Sequence, residues 1–174
     1  MNHAFKAMMF ARHIHRTQVR RYTNTPYFEH LAEVVGIVST SCQNAIVTVD
    51  VMTSVAWLHD CVEDQDVSMH ELHREFGQEI ATGVILLSDM ESGNRASRKR
   101  QSRERLAVAP GWIQTIKYAD LISNAPSIFA HDPAFAATYL EEARLLLDVM
   151  KDGDALLRQY AMKQITTTQK YKST

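Results

Sequence analysis

The stretch WLHDCVEDQD, residues 57–66, decides how this chain is read. Its apolar lead-in looks like the end of a core helix. It then places His59-Asp60 together and, one turn later, Glu63-Asp64. On a regular helix, adjacent side chains diverge by about 100°. His59 and Asp60 can therefore share one ion only at a helix end or on its flank. Glu63 follows His59 by one helical turn, and Asp64 follows Asp60 likewise, so each pair shares a face. Acids are disfavoured at a helix C-terminus by the macrodipole. Asp60, Glu63, Asp64 and Asp66 also repel one another. The bland reading is a charged, solvated helix end. The sharper one is that a divalent cation sits among these side chains.

Two distant residues favour the cation. His30 follows a turn at Pro26 and opens the apolar helix of Leu31, Val34, Val35 and Val38. Asp120 interrupts the apolar segment TIKYADLISNA, where an unpaired carboxylate would be costly to bury. Two histidines and two aspartates form a credible mixed N/O site for a divalent metal. No thiolate joins them, which disfavours a closed structural zinc site.

The rest of the chain predicts helices. Phe5, Met8, Met9 and Ile14 have the spacing of a buried stripe. A third helix is predicted over residues 47–61. Ser68 with Glu71 reads as a capping box, and Gly77 suits the following C′ position. Ile80, Val84 and Leu87 mark another helix, which Ser92-Gly93-Asn94 ends. Pro110 reads as a first helical residue before Ile113, Ile116 and Leu121. Asp132-Pro133 reads as an N-cap and N1 pair opening a long helix, with Gly153 near its end. Residues 155–165 are predicted helical too. The β-branched stretch AIVTVDV is the one segment that could read as a strand. The expectation is an all-α fold of roughly eight or nine helices in a single domain.

Composition narrows the function. The chain has 174 residues and a formal net charge of -1, so no global basic field points to nucleic acid. No apolar run approaches membrane-spanning length, and the N-terminus lacks the apolar core of a signal peptide. Two cysteines, Cys42 and Cys61, without a CxxC pairing, fit a reducing cytoplasm.

The order His30, His59-Asp60, Asp120 resembles that of the HD-domain metal phosphohydrolases. HRTQVRRYTNTPYFEH, AWLHDCVEDQD, ELHREFGQEIATGVILLSDM and IKYADLISNAPSI sharpen this to the RelA/SpoT-type hydrolase domain. They match its single-domain form, the small alarmone hydrolases. The similarity runs in order from about residue 5 to 130, with C-terminal helices reaching 174. The resemblance implies an HD-domain helical bundle and one divalent ion, Mn²⁺, held by His30, His59, Asp60 and Asp120. It implies catalytic roles for Glu63 and Asp64. It implies nucleotide contacts by Arg20, Arg21 and Asn124, and a ligand contact by Tyr139. The implied substrate is a purine nucleotide alarmone of the stringent response. The implied reaction is removal of the 3′-pyrophosphate from (p)ppGpp or (p)ppApp by a phosphoric diester hydrolase. No synthetase domain fits in the remaining length.

Residue chemistry agrees with these roles. A metal-activated water needs an orienting base, which Glu63 can be, with Asp64 supporting it on the water or behind Asp60. Arginine suits base stacking and forked phosphate contacts, as at Arg20-Arg21. Lys117 could reach a phosphate or pair beside Asp120. The basic run of residues 95–105 could wall a phosphate cleft, form a docking surface, or simply be a solvated helix face. His15 belongs to the opening motif and could help hold the basic loop. Cys61, Met8, Met9, Trp57 and Trp112 read as packing. Departures from the family pattern occur at Thr23-Asn24-Thr25, Leu31, Gln65 and Leu121-Ile122-Ser123. They spare the metal ligands and leave guanine versus adenine preference open. Two other functions stay in view: a general HD-domain nucleotide phosphohydrolase, and a toxin-neutralising or alarmone-binding partner protein. Homo-oligomerisation is left open.

Overall fold

Short polar caps set where the helices start. In the computed structural model, which describes residues 2–41 and 47–170, Ser68 Oγ accepts the Glu71 N–H at 3.1 Å. Asn94 does the same for Ser97 at 2.9 Å, and Asp132 for Phe135 at 3.0 Å. These bonds satisfy backbone donors that a first turn leaves without intrahelical partners. Cys42 and the start of the β-branched stretch, Ala45 and Ile46, lie outside the described residues. The rest of that stretch turns into a helix that Thr48 caps. Among the described residues the regular elements are all helical, apart from an isolated bridge between Val19 and Pro26. None of those helices is long and apolar enough to cross a membrane.

The chain divides into two compact units, residues 1–92 and 93–174. The first contains α1 (His3–Ile14), α2 (Tyr27–Ser39), α3 (Val49–Leu58), α4 (Cys61–Gln65), α5 (Met69–Phe76) and α6 (Gln78–Leu87). Helix α3 is its centre, with α1, α2 and α6 packed around it and α5 on α6. Met52, Thr53, Ser54, Val55, Ala56 and Leu58 of α3 are all buried. The Thr53 and Ser54 hydroxyls tolerate this by donating to the Val49 and Asp50 carbonyls, each at 2.6 Å.

Two expectations change in this unit. Helix α1 buries Ala7 and Ala11, while Phe5 and Met9 stay 63% and 47% exposed. Its small face lies against α3, and Asp50 of α3 accepts the N–H groups of His3 and Ala4 at 3.1 and 2.8 Å. The predicted helix over residues 47–61 also stops early. Leu58 is the last residue of α3, His59 is its C-cap, and Asp60 is the N-cap of the short α4. Asp60 has φ -101° and ψ 0°, off the helical region, so the chain bends there.

The second unit contains α7 (Arg95–Ala107), α8 (Gly111–His131), α9 (Pro133–Val149) and α10 (Ala155–Lys170). Helix α8 is its centre, packing against α9 and α10, and it runs through Pro126 without stopping. Pro110 is its N-cap rather than its first residue. Two glycines permit a close crossing. A Cβ on Gly111 would stand 2.0 Å from the Asp152 carbonyl oxygen, and one on Gly153 would stand 2.5 Å from the Tyr118 ring. Gly153 is thus required by close approach and not as a helix stop. Tyr118, fully buried, donates to the Met150 carbonyl at 2.8 Å, and burial pushes its phenol up to about 12. Arg158 satisfies the end of α9 through the Leu147 and Met150 carbonyls.

Candidate metal centre and active site

The bend after α3 brings His59 and Asp60 onto one point, as a helix end must if adjacent residues are to share an ion. His59 Nε2 lies 3.1 Å from Asp60 Oδ2. His30, projecting from the first turn of α2, places its Nε2 3.5 Å from the same oxygen. One ligand atom from each of the three residues falls within a 4.8 Å spread. Both histidines are buried, and the Asp60 side chain is 18% exposed.

Hydrogen bonding makes this a donor set for a cation. His59 Nδ1 lies 2.9 Å from the Ala56 carbonyl, which can only accept. The Nδ1 proton is therefore used there, and in the neutral ring that binds a metal the Nε2 lone pair faces Asp60. A lone pair and a carboxylate oxygen 3.1 Å apart repel unless a positive charge intervenes. Neighbouring ligands each bound at about 2.1 Å to one octahedral ion stand about 3 Å apart, close to the 3.1 and 3.5 Å that separate the two histidines from Asp60. Tyr27 donates its hydroxyl to Asp60 Oδ2 at 2.6 Å and so orients this carboxylate. The three residues fit a divalent metal with N and O ligands.

The acids beyond the bend are placed differently from the expectation. Glu63 and Asp64 belong to the first turn of α4 and not to the C-terminus of a longer helix. There the backbone N–H groups favour negative charge, so the macrodipole penalty inferred for a helix C-terminus does not apply. Both are exposed. Glu63 Oε2 accepts the Asp89 N–H at 3.2 Å, and Asp64 Oδ2 accepts the Gln18 side-chain amide at 2.7 Å. Asp66 is the C-cap of α4 with φ 53°, outside the cluster.

The loop between α1 and α2 supplies the remaining groups of this unit. Arg20 donates to Glu33 at 2.9 Å and has a side chain only 11% exposed. Arg21 is exposed, with its guanidinium 5.3 Å from the Tyr22 ring centroid. His15 is buried, stacked on Tyr27 with ring centroids 5.2 Å apart. Burial lowers its pKa below the usual 6.5, opposed by the Gln18 hydrogen bond and by the charges of Asp60 and Asp64.

In the second unit, Asp120 is buried on α8 and both its oxygens are engaged. Lys117 donates to Oδ2 at 2.7 Å and Asn124 to Oδ1 at 2.6 Å. Lys117 thus pairs with Asp120 itself. Tyr139 on α9 is set among Phe129 and Phe135, each 6.3 Å away by ring centroid, and burial raises its phenol. The structure therefore brings His30, His59 and Asp60 together in one unit, and Lys117, Asp120 and Asn124 together in the other. In the basic helix α7, Arg95 is committed to a forked pair with Glu142, both contacts at 2.7 Å.

Residues given no role from sequence are Tyr27, Gln18 and Gln65. Tyr27 had a signal: it stands three residues before His30, one turn from a ligand. Gln18 lies 46 residues from Asp64 and 47 from Gln65, beyond any local spacing rule.

Comparison with known proteins places this geometry. Residues 7–110 match the model of the HD domain family, and the chain belongs to that family. Within it, the chain is similar to guanosine-3′,5′-bis(diphosphate) 3′-pyrophosphohydrolases named MESH1. It is 32% identical to that of Mus musculus over 120 residues, covering 68% of this chain and 65% of the relative. Just under two thirds of the mouse protein is thus spanned. For the Drosophila melanogaster protein the identity is 30% over 129 residues, covering 74% and 70%. A solved structure described as a metazoan ortholog of SpoT that hydrolyzes ppGpp superposes with a TM-score of 0.82 at 25% identity. That superposition covers 99% of this chain and 96% of the other. A Listeria monocytogenes structure at 17% identity and TM-score 0.70 shares the fold.

Proposed function

We propose that this protein is an Mn²⁺-dependent hydrolase that removes the 3′-pyrophosphate from guanosine or adenosine alarmones, (p)ppGpp or (p)ppApp. The observation that carries the reading is the His30, His59 and Asp60 cluster, with two further carboxylates one turn beyond it. The similarity to 3′-pyrophosphohydrolases supplies the substrate class. In this reading the 174 residues act as a single HD-type hydrolase domain, located in the cytoplasm, and Asp120 is the fourth metal ligand.

When bound, the divalent ion lowers the pKa of a water and polarises a phosphoryl oxygen. Glu63, held by the Asp89 amide, orients that water and takes its proton. Asp64 steadies the water from the adjacent position. Tyr27 keeps Asp60 turned to the cluster by its 2.6 Å hydrogen bond. Arg20 and Arg21 meet the base and phosphates, and Asn124, Lys117 and Tyr139 complete the nucleotide contacts. Lys117 and Asn124 each engage one oxygen of Asp120, and each oxygen keeps a second lone pair with which it would reach the ion.

The test is to incubate purified protein and Mn²⁺ with ppGpp and ppApp separately and to chromatograph the products. Pyrophosphate release from one or both is expected. Release from neither would refute the proposal, and turnover of dNTPs or NADPH instead would make this a general nucleotide phosphohydrolase.

A further inference from the structure

Gln18, between α1 and α2, takes no part in the chemistry above, yet its side chain meets three others. Nε2 lies 2.7 Å from Asp64 Oδ2. Oε1 lies 2.7 Å from Gln65 Nε2 and 2.5 Å from His15 Nδ1. An amide oxygen only accepts and an amide nitrogen only donates. An ionised carboxylate must accept from Nε2, so the Gln18 amide can face only one way, and Oε1 is left to accept from the Gln65 amide nitrogen. His15 then carries its proton on Nδ1, which donates to the same oxygen.

The backbone holds this amide in place. The Gln18 N–H donates to the His15 carbonyl at 3.0 Å, and the Gln18 carbonyl accepts the Tyr27 N–H at 2.9 Å. Beyond it, the Val19–Pro26 bridge and the Arg20 N–H to Thr25 carbonyl bond at 2.8 Å close the loop. Asp64 is otherwise an exposed side chain on a five-residue helix, free to sample rotamers. Among the described residues its Oδ1 has no hydrogen-bond partner.

We infer that Gln18 is a positioning residue: its amide clamps Oδ2 of Asp64 and leaves Oδ1 for the water. Gln65 and His15 act one step further out, by fixing which end of the amide faces Asp64. The inference rests on the catalytic role proposed for Asp64. Gln65 stands where the family pattern commonly has another residue, and here it is recruited to hold the clamp.

The experiment uses the full chain with Mn²⁺ and ppGpp, in wild type, Gln18→Ala, Gln18→Glu, Asp64→Asn and Gln18→Ala/Asp64→Asn. Losing a residue that orients an active group costs about 10- to 100-fold. Gln18→Ala should lower kcat by about 10-fold with KM within about two-fold, the pattern of an effect confined to the transition state. Gln18→Glu, isosteric but placing a like charge against Asp64, should lower it further. In the Asp64→Asn background Gln18→Ala should cost nothing more, because the group it positions is gone. Mn²⁺ content should stay unchanged throughout. Separately, in metal-free protein, Asp64→Asn should shift the Gln18 side-chain amide signals in ¹⁵N-resolved NMR.

Normal kcat in both Gln18 variants, with Asp64→Asn impaired, would overturn the clamp and leave the role of Asp64 standing. So would a Gln18→Ala loss that multiplies in full on Asp64→Asn. Full turnover by Asp64→Asn would instead remove that carboxylate from catalysis, and the clamp's function with it. Unmoved Gln18 amide signals would overturn the contact itself, whatever the substrate.

Discussion

Tyr27→Phe isolates how much the metal cluster owes to a residue that touches no metal. The lost atom is a hydroxyl donating to Asp60 Oδ2 at 2.6 Å, within the range of a charge-assisted bond. The ring stays. It still stacks on His15, at 5.2 Å, and meets His30 edge-on, at 5.3 Å. A hydrogen bond to a charged group contributes about 1.5–3 kcal/mol. Asp60 keeps 18% of its side-chain surface exposed, so water can restore part of this in the metal-free protein. About 1 kcal/mol of fold stability is then at stake, a fall of about 2–4 °C in Tm. The larger effect falls on the metal, because Asp60 without its donor can turn away from the two histidines. A rise of about 10-fold or more in the Mn²⁺ Kd is expected, which is about 1.4 kcal/mol. Titration followed by the EPR signal of free Mn²⁺, with calorimetry as a check, reads this directly. A Kd unchanged within about two-fold, in a variant that melts cooperatively, would refute the reasoning that Tyr27 orients a ligand.

Four further variants separate the parts of the site and the fold. Asp120→Ala should lose bound metal, whereas Glu63→Ala should keep its metal and lose turnover; elemental analysis beside the ppGpp assay checks both, and normal turnover in both would refute the assignment. Burial holds His15 below its usual 6.5, so near that pH the unfolded chain binds a proton that the folded one does not. Stability contributed by neutral His15 is therefore complete above about pH 6.5 and is lost as pH falls toward the lowered value. His15→Phe keeps a ring against Tyr27, and its urea midpoint should fall less than the wild type's between about pH 7.5 and 5.5; equal falls would show that His15 does not titrate this way. Gly111→Ala puts a Cβ 2.0 Å from the Asp152 carbonyl oxygen. Overpacking of this kind costs about 1–3 kcal/mol, so a Tm at the wild-type value would mean the crossing is looser than described.

What could be read from the sequence was what local chemistry encodes. Ser68 and Asp132 each act within three residues of themselves, and the helices they open lie where the sequence places them. His30, His59 and Asp60 were legible because acids crowded at the end of one apolar helix, with a histidine opening another, call for a positive partner. The bend at Asp60 was not legible. No proline or glycine marks it, and the α3 stripe runs into α4 through buried Cys61 without interruption. The buried face of α1 was misread because large apolar side chains outweighed alanine in the pattern, whereas close packing on α3 favours alanine. Gln18 and Gln65 were invisible because their contact spans 47 residues and neither type announces a role.

Glu63 and Asp64 are neighbours in the chain, but separate parts of the fold hold them. Asp89, beyond α6, grips the first, and Gln18, ahead of α2, grips the second. The pair is therefore modular. Variation around residue 89 can adjust one carboxylate while the other keeps its tether, and variation around residue 18 does the reverse. Two adjacent acids that would otherwise drift together can be tuned independently, without any change to His30, His59 or Asp60.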